Sequence, residues 1–255
     1  MALVLAFFLA LLHGQEALAQ QADDSDYDRE FNYGVNFNTA GGYIGGGILK
    51  YAVQSKDDRF YTRYQLEIVN IKHPKEKRVA GNTNGSSSYA FAKTNFLFVV
   101  RPSYGKEMVL FRKAPEEGVQ LNGHISVGPS IGVQKPYYVL YDLKDQFGIV
   151  NTLNVPYTPT TVDSRNIQGA GRFLSGFDAL KFTPGAHFRA GLSFEFGTFK
   201  SSVAGIDVGF VSEIFAKPME MLSAPNQTGG SNNTNFKPIQ TVNALYLTLY
   251  YGNKF

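Results

Sequence analysis

The sequence predicts an all-β protein: a transmembrane antiparallel up-and-down β-barrel of eight strands (ten possible), with long extracellular loops. Three observations lead there. Segments of roughly 12–16 residues, long enough to cross a bilayer when tilted, alternate apolar and polar side chains with period two. The connections between them are unequal: very short at Lys200-Ser201, long and polar over 142–183 and 217–240. The last strand runs to a terminal aromatic, Phe255, and closing a barrel removes the edge that such a strand would otherwise expose.

Composition agrees with this fold and excludes several function classes. The chain has 255 residues, 26 Gly, 15 Tyr, 21 Phe and no Cys. Without cysteine there is no disulfide framework, thiolate metal site, iron–sulfur cluster or cysteine nucleophile. A formal charge of +3 is too small to suggest a nucleic-acid partner. No cofactor is implied.

The N-terminal stretch MALVLAFFLALLHGQEALAQ joins an apolar run to a small-residue site, Ala17-Leu18-Ala19, and predicts a signal peptide over 1–19. It departs from the usual pattern in lacking Lys or Arg before the apolar run. Residues 20–32, with Asp23, Asp24, Asp26 and Asp28, read as a periplasmic leader, and 33–255 as the barrel. Eleven or so apolar residues are too few to span a bilayer as a helix, which needs about 20, so an exported chain is expected to reach the outer membrane as a multi-pass barrel.

The strands expected in order are 33–39, 43–53, 59–71, 89–101, 118–141, 185–198, 202–216 and 241–254, an even number that puts both ends on the periplasmic side. Gly41-Gly42 makes the first outer turn and Lys56-Asp57-Asp58 a periplasmic one. Residues 72–88 read as a solvated loop. The segment 102–117 is open between an extra strand, an interfacial helix and a kinked continuation, because Pro102 and Gly105 interrupt the pattern. The alternation is clearest over 186–198, where Phe188, Leu192, Phe194 and Phe196 share one face and His187, Arg189, Ser193 and Glu195 the other. Aromatic residues at strand ends (Tyr27, Tyr33, Tyr43, Tyr51, Tyr89, Tyr137, Tyr138, Tyr250, Tyr251) suit interfacial girdles.

An eight-stranded barrel is just wide enough for its interior side chains to fill it. The inward register holds Arg63, Glu67, His187, Arg189, Glu195, Asp207 and Glu213, so a paired charge network plugging the lumen is expected. His124 and Ser126 sit two apart on one strand face, a spacing that could serve acyl hydrolysis with an acid such as Asp142. Their polar register favours lumen hydrogen bonding instead. The three histidines beyond the leader are scattered, and no metal site is expected.

The closing strand TVNALYLTLYYGNKF, with Leu247, Leu249, Tyr251 and Phe255 in one register, resembles the C-terminal assembly signal of outer-membrane barrels, although Asn253 departs from it. The stretches FRKAPEEGVQ (111–120), GPSIGVQKPYYV (128–139), GFDALKFTPGAHFRAGLSFEFG (176–197) and LYLTLYYGNKF resemble the small PorT-like outer-membrane β-barrel proteins. That resemblance implies a small integral outer-membrane protein, an accessory of a secretion or assembly complex, and brings no catalytic residue. The partners expected are outer-membrane lipid, the barrel-assembly machinery acting on the last strand, and an envelope protein complex. The expected function is therefore a non-enzymatic accessory or scaffold; the alternatives are a lipid A deacylase-like acyl hydrolase and a narrow small-solute channel.

Overall fold

The computed structural model describes residues 28–57, 59–81, 87–112, 119–144, 147–159, 163–196, 202–223 and 236–255. The expected signal peptide, most of the leader, the Lys200-Ser201 turn and residues 113–117 lie outside them. Among the described residues thirteen strands follow in chain order: β1 Arg29–Asn38, β2 Gly42–Gln54, β3 Phe60–Ile71, β4 Arg78–Val79, β5 Tyr89–Ala90, β6 Asn95–Phe111, β7 Val119–Pro136, β8 Tyr138–Lys144, β9 Val150–Pro156, β10 Ile167–Ala170, β11 Lys181–Phe196, β12 Ser202–Met219 and β13 Ile239–Lys254.

Eight of them close into one barrel in the order β1-β13-β12-β11-β7-β6-β3-β2, every neighbour antiparallel. The fold is thus the eight-stranded up-and-down barrel the alternation predicts. Closure joins the first strand to the last from Glu30↔Lys254 to Asn38↔Tyr246. It is completed by a reciprocal backbone pair: Arg29 N–H donates to the Phe255 carbonyl at 3.1 Å and Phe255 N–H to the Arg29 carbonyl at 2.9 Å. The first strand starts at Arg29, so residues 29–32 belong to the barrel wall and not to the leader. At the β1–β2 turn Gly42 has φ +83°, a left-handed conformation that a side chain would strain.

Period-two alternation decides the two faces. Phe31, Leu66, Ile125, Val127, Phe188, Leu192, Phe210, Leu245 and Leu247 are exposed on the outside, which would be untenable in water over so large a continuous surface. The outward polar residues Ser212 and Asn243 satisfy each other, the hydroxyl donating to Oδ1 at 2.7 Å. Tyr33 packs edge-on against Tyr251, and Tyr64 against Tyr104. These outward rings sit toward the end of the barrel that carries the chain termini, as an interfacial girdle would.

Three expectations need correction. Residues 95–111 form one unbroken strand, β6, running straight through Pro102 and Gly105. Between Pro102 and Phe111 there is no extra strand pair or helix. The register on either side sets Pro102 opposite Pro129 in β7; the ladder is interrupted there, resumes unshifted at Tyr104↔Val127, and shifts by one residue only near its end, between Val109 and Phe111. Two residues without N–H groups facing each other confine the loss to one place in the sheet.

Second, the strand expected over 89–101 divides. Tyr89–Ala90 pairs with Arg78–Val79 in a small sheet within the presumed solvated loop, and Ala92 turns the chain with φ 59° before β6 begins. Third, the strand expected over 118–141 breaks at Pro136. Beyond it the long 142–183 connection is a folded three-stranded sheet, β10-β8-β9. Tyr89, Tyr137, Val139, Tyr141, Tyr157 and Ile167 form its core. Tyr89 and Tyr137 are therefore loop-sheet core residues rather than girdle residues, and Tyr250 points into the lumen, 5 % exposed. Tyr27 and the Tyr43 side chain lie outside what is described.

Candidate functional site

The lumen is where the charged side chains converge, and it is layered. At the loop end Val69, Ile71, Leu97, Val99, Phe215, Met219, Met221 and Val242 form an apolar cap. Below it lies a network built on three arginines. Arg101 on β6 holds Glu213 of β12 with both ends of its guanidinium (3.0 and 2.8 Å) and Glu67 of β3 at 3.1 Å. Arg189 on β11 takes the other Glu67 oxygen at 2.9 Å and lies over the Tyr246 ring, 3.5 Å from its centre. Arg63 on β3 pairs with Asp207 at 2.7 Å and Glu107 at 3.1 Å, and donates to Gln65.

The remaining acceptor sites are filled by neutral donors. Asn36 Nδ2 donates to Glu67 at 2.6 Å, Asn122 Nδ2 to Glu107 at 2.9 Å and the Tyr246 hydroxyl to Asp207 at 3.1 Å. Toward the termini, Lys50 bridges Glu30 and Glu107, and Lys254 pairs with Glu195 at 2.7 Å. Asn32 donates to Glu30 as well. Arg63 and Arg189 are each 1 % exposed, as are Glu67 and Glu213. Charges so deeply placed hold only because each has an opposite partner; neutral donors and acceptors take most of what is left over, Arg189 Nε having no partner among the described residues. Small residues make room for the large ones. A Cβ on Gly205 would stand 2.4 Å from the Tyr250 hydroxyl, and one on Gly209 2.5 Å from that of Tyr246.

The expected inward residues are all inside, but two join differently. His187 hydrogen-bonds Ser130 Oγ at 3.0 Å and is in no ion pair with a carboxylate among the described residues. Glu195 belongs to the Lys254 pair at the terminal end, away from the arginine network. Arg101, Glu107, Lys50 and Glu30 complete the network and were not among the expected residues. Arg101 and Glu107 lie in the segment where Pro102 and Gly105 obscured the alternation, although Val99, Arg101, Ser103, Gly105, Glu107 and Val109 keep one inward register throughout.

His124 and Ser126 share the lumen face without forming a catalytic pair. His124 Nε2 lies 3.0 Å from the Tyr246 hydroxyl and 3.4 Å from Asp207. Ser126 Oγ and His124 Nδ1 have no hydrogen-bond partner among the described residues. A serine nucleophile needs its base within hydrogen-bond reach. Asp142, the acid considered for it, is in the loop sheet, accepting from Thr152 and Gln168. Among the described residues no three His, Cys, Asp or Glu gather as metal ligands. Of the assembly-signal residues, Leu247, Leu249 and Tyr251 share the outward face of β13, and Phe255, one residue beyond its end, is exposed in the same register.

The loop sheet is fastened to the rim through lysines set in aromatic rings. Lys135 Nζ lies 5.0, 4.6 and 5.2 Å from the centres of Phe96, Phe173 and Phe177. Lys93 Nζ lies 4.3 Å from Phe96 and pairs with Glu76 at 2.8 Å. Burial lowers the pKa of Lys93 below the ordinary lysine value, with the Glu76 bond pulling the other way. Burial also pushes the Tyr157 phenol up to about 12, with Tyr89 beside it adding to the shift.

No protein-family model and no curated protein matches the chain. Among solved structures it is similar to Ail, the attachment invasion locus protein of Yersinia pestis: 10% identity, TM-score 0.38, covering 91% of this chain and 100% of that one. Ail in complex with the heparin analogue sucrose octasulfate is similar at 11% identity and TM-score 0.37, over 89% and 97% of the two chains. Neisserial surface protein A (NspA) is similar at 8% identity and TM-score 0.39, over 89% and 96%.

Proposed function

We propose that this protein is exported and built into the bacterial outer membrane, where it acts as a non-enzymatic scaffold with a filled lumen. The carrying observation is the inversion of its two faces: apolar side chains cover the outside while paired charges fill the inside. Hydrocarbon outside accounts for both, since lipid accepts the first and a closed, narrow interior can hold the second. Unequal connections set the orientation. In this orientation Arg29, Phe255, the facing ends of β2 and β3 at Gln54 and Phe60, and those of β6 and β7 at Phe111 and Val119 lie at the periplasmic end, and the loop sheet faces outward.

In this reading the last strand, with Leu247, Leu249, Tyr251 and Phe255 outward, is the element the barrel-assembly machinery handles. The loop sheet is what the scaffold presents to an envelope complex, and the PorT-like resemblance gives that complex a secretion or assembly role. A channel would need a wet path through the three arginines and the apolar cap, and an acyl hydrolase would need Ser126 against its base.

Folding purified mature protein into phosphatidylcholine vesicles tests the proposal. The expected result is a heat-dependent shift in gel mobility, no stable conductance in planar bilayers, and no lipid hydrolysis that Ser126→Ala abolishes. Stable large conductance overturns the filled lumen. Phospholipid or lipid A cleavage lost in Ser126→Ala overturns the non-enzymatic reading, and a mature chain that stays dissolved in buffer without detergent overturns the membrane.

A further inference from the structure

Two cavities meet at the outer rim of the barrel wall, and their chemistry is complementary. The first is an open groove of about 860 Å³ along β1, β13, β12 and β11. Phe37, Leu192, Phe210, Leu245 and Leu247 form its sides over small residues such as Ala190. Its lining carries no charged residue. The second, about 710 Å³, sits between the β1–β2 turn, the segment following β3 and the residues leading into β13. Lys72, Lys75, Lys237 and His73 line it, and no carboxylate does. Thr39 and Gly42 line both cavities, so the greasy groove runs into the basic pocket across the β1–β2 turn.

The basic pocket is not balanced from within. None of its three lysines is in an ion pair among the described residues. Glu76, the carboxylate nearby in sequence, is bound to Lys93 at 2.8 Å. Lys72 Nζ stands so close to the turn that a Cβ on Gly42 would lie 2.9 Å from it. His73 accepts the Lys75 backbone N–H on Nδ1 at 3.1 Å, which leaves Nε2 as the donor of a neutral ring. Gathered ammonium groups without a counter-charge repel one another, and a multiply charged anion relieves that repulsion. Lysine is a suitable partner for phosphate, as a compact charge with three rotatable donors.

From this continuity we infer that the rim is a binding site for a phosphorylated, acylated amphiphile of the outer leaflet. Its phosphate sits among Lys72, Lys75 and Lys237, and an acyl chain lies in the groove between Leu192, Phe210 and Leu245. The inference rests on the outer-membrane reading and deepens it: it names a lipid class held at one place on the wall rather than a uniform annulus. A free anion would use only the pocket and a neutral lipid only the groove. Both halves together select a molecule that has both.

The test uses the full mature chain folded into phosphatidylcholine vesicles, with folding checked first by gel mobility. Extraction into uncharged detergent then allows bound lipid to be counted by native mass spectrometry. Dioleoylphosphatidic acid, dioleoylglycerol and inorganic phosphate are the probes. Phosphatidic acid is expected to be retained at least about 10-fold better than either of the others. The triple variant Lys72→Glu, Lys75→Glu, Lys237→Glu should bring it down to the level of dioleoylglycerol. The same charge change at Lys144, Lys181 and Lys217 should leave it bound. Ala190→Trp, which fills the groove, should weaken phosphatidic acid and leave inorganic phosphate unaffected. Equal retention of phosphatidic acid and dioleoylglycerol by a folded barrel overturns the site while sparing the membrane reading. So does a preference equally lost in the control triple. Phosphate bound as tightly as phosphatidic acid overturns the groove's part in it. Failure to fold into vesicles strikes the outer-membrane reading itself.

Discussion

Inside the barrel, Glu67 is shared by Arg101 and Arg189, and Arg63 divides itself between Asp207 and Glu107. A short distance away, the loop sheet buries Tyr89, Tyr137, Tyr141 and Tyr157 around Val139 and Ile167, with no charged residue in that core. One chain thus builds two cores of opposite polarity. The difference follows from what surrounds each. The loop sheet excludes water from its interior as soluble proteins do. The barrel has hydrocarbon outside in the proposed setting, so burial of apolar surface inside has no advantage to offer, and hydrogen-bonded ion pairs across the lumen specify how the strands sit.

Glu67→Ala should have the largest effect. It strips two buried guanidinium groups of a partner, an uncompensated charge worth about 3–5 kcal/mol. Urea unfolding of the barrel in lipid vesicles, followed by gel mobility, checks it. Simultaneous replacement of Glu67, Arg101, Arg189 and Glu213 by apolar residues of similar volume should destabilise far less than the single substitution, since Asp207 keeps Arg63 and no charge is stranded. If Glu67→Ala is silent, the contrast between the two cores fails.

Ile167→Ala, at the centre of the loop sheet, should remove about 2–5 kcal/mol from that sheet alone. Hydrogen exchange would show faster amides in β8, β9 and β10 and unchanged amides in the barrel strands. Barrel amides that accelerate equally would mean that the two cores are one cooperative unit.

The smallest effect is one of pH. The Tyr157 phenol, held at about 12 by burial, lies above its ordinary value of 10.0, and burial raises Tyr89 and Tyr137 too. The folded sheet therefore keeps protons that the unfolded chain would release. Their stabilising contribution is complete below pH 10 and is lost as pH climbs from about 10 through about 12. Lys93, lowered by burial, contributes in the opposite sense up to 10.5, where the unfolded lysine also loses its proton, and so delays the onset. Phenolate absorbance against pH, read beside barrel gel mobility, should show the loop sheet loosening while the barrel persists.

Much of the barrel was legible because alternation is a local property. Arg63, Glu67, Arg189, Asp207 and Glu213 are inward because their neighbours at odd and even positions differ, whatever lies across the lumen. Arg101 and Glu107 were hidden because Pro102 and Gly105 look like breakers in isolation. Only the facing Pro129 explains why the strand continues. The loop sheet was hidden for a different reason. Its strands are short, their outer residues exposed, and Tyr89, Tyr137 and Ile167 come together from places far apart in the chain. No local period announces such a core.

The sequence by itself determined that eight strands alternate, which face is greasy, and that Arg63, Glu67, Arg189, Asp207 and Glu213 enter the lumen, since a period of two is a steric consequence of the extended backbone. The tertiary structure decided who pairs with whom. Arg101 reaches Glu213 across 112 residues of chain because register and closure bring β6 opposite β12. The same closure joined the basic pocket to the apolar groove at the β1–β2 turn. Partner choice depends on how strands are staggered around the barrel, and that stagger is a property of the closed sheet rather than of any segment within it.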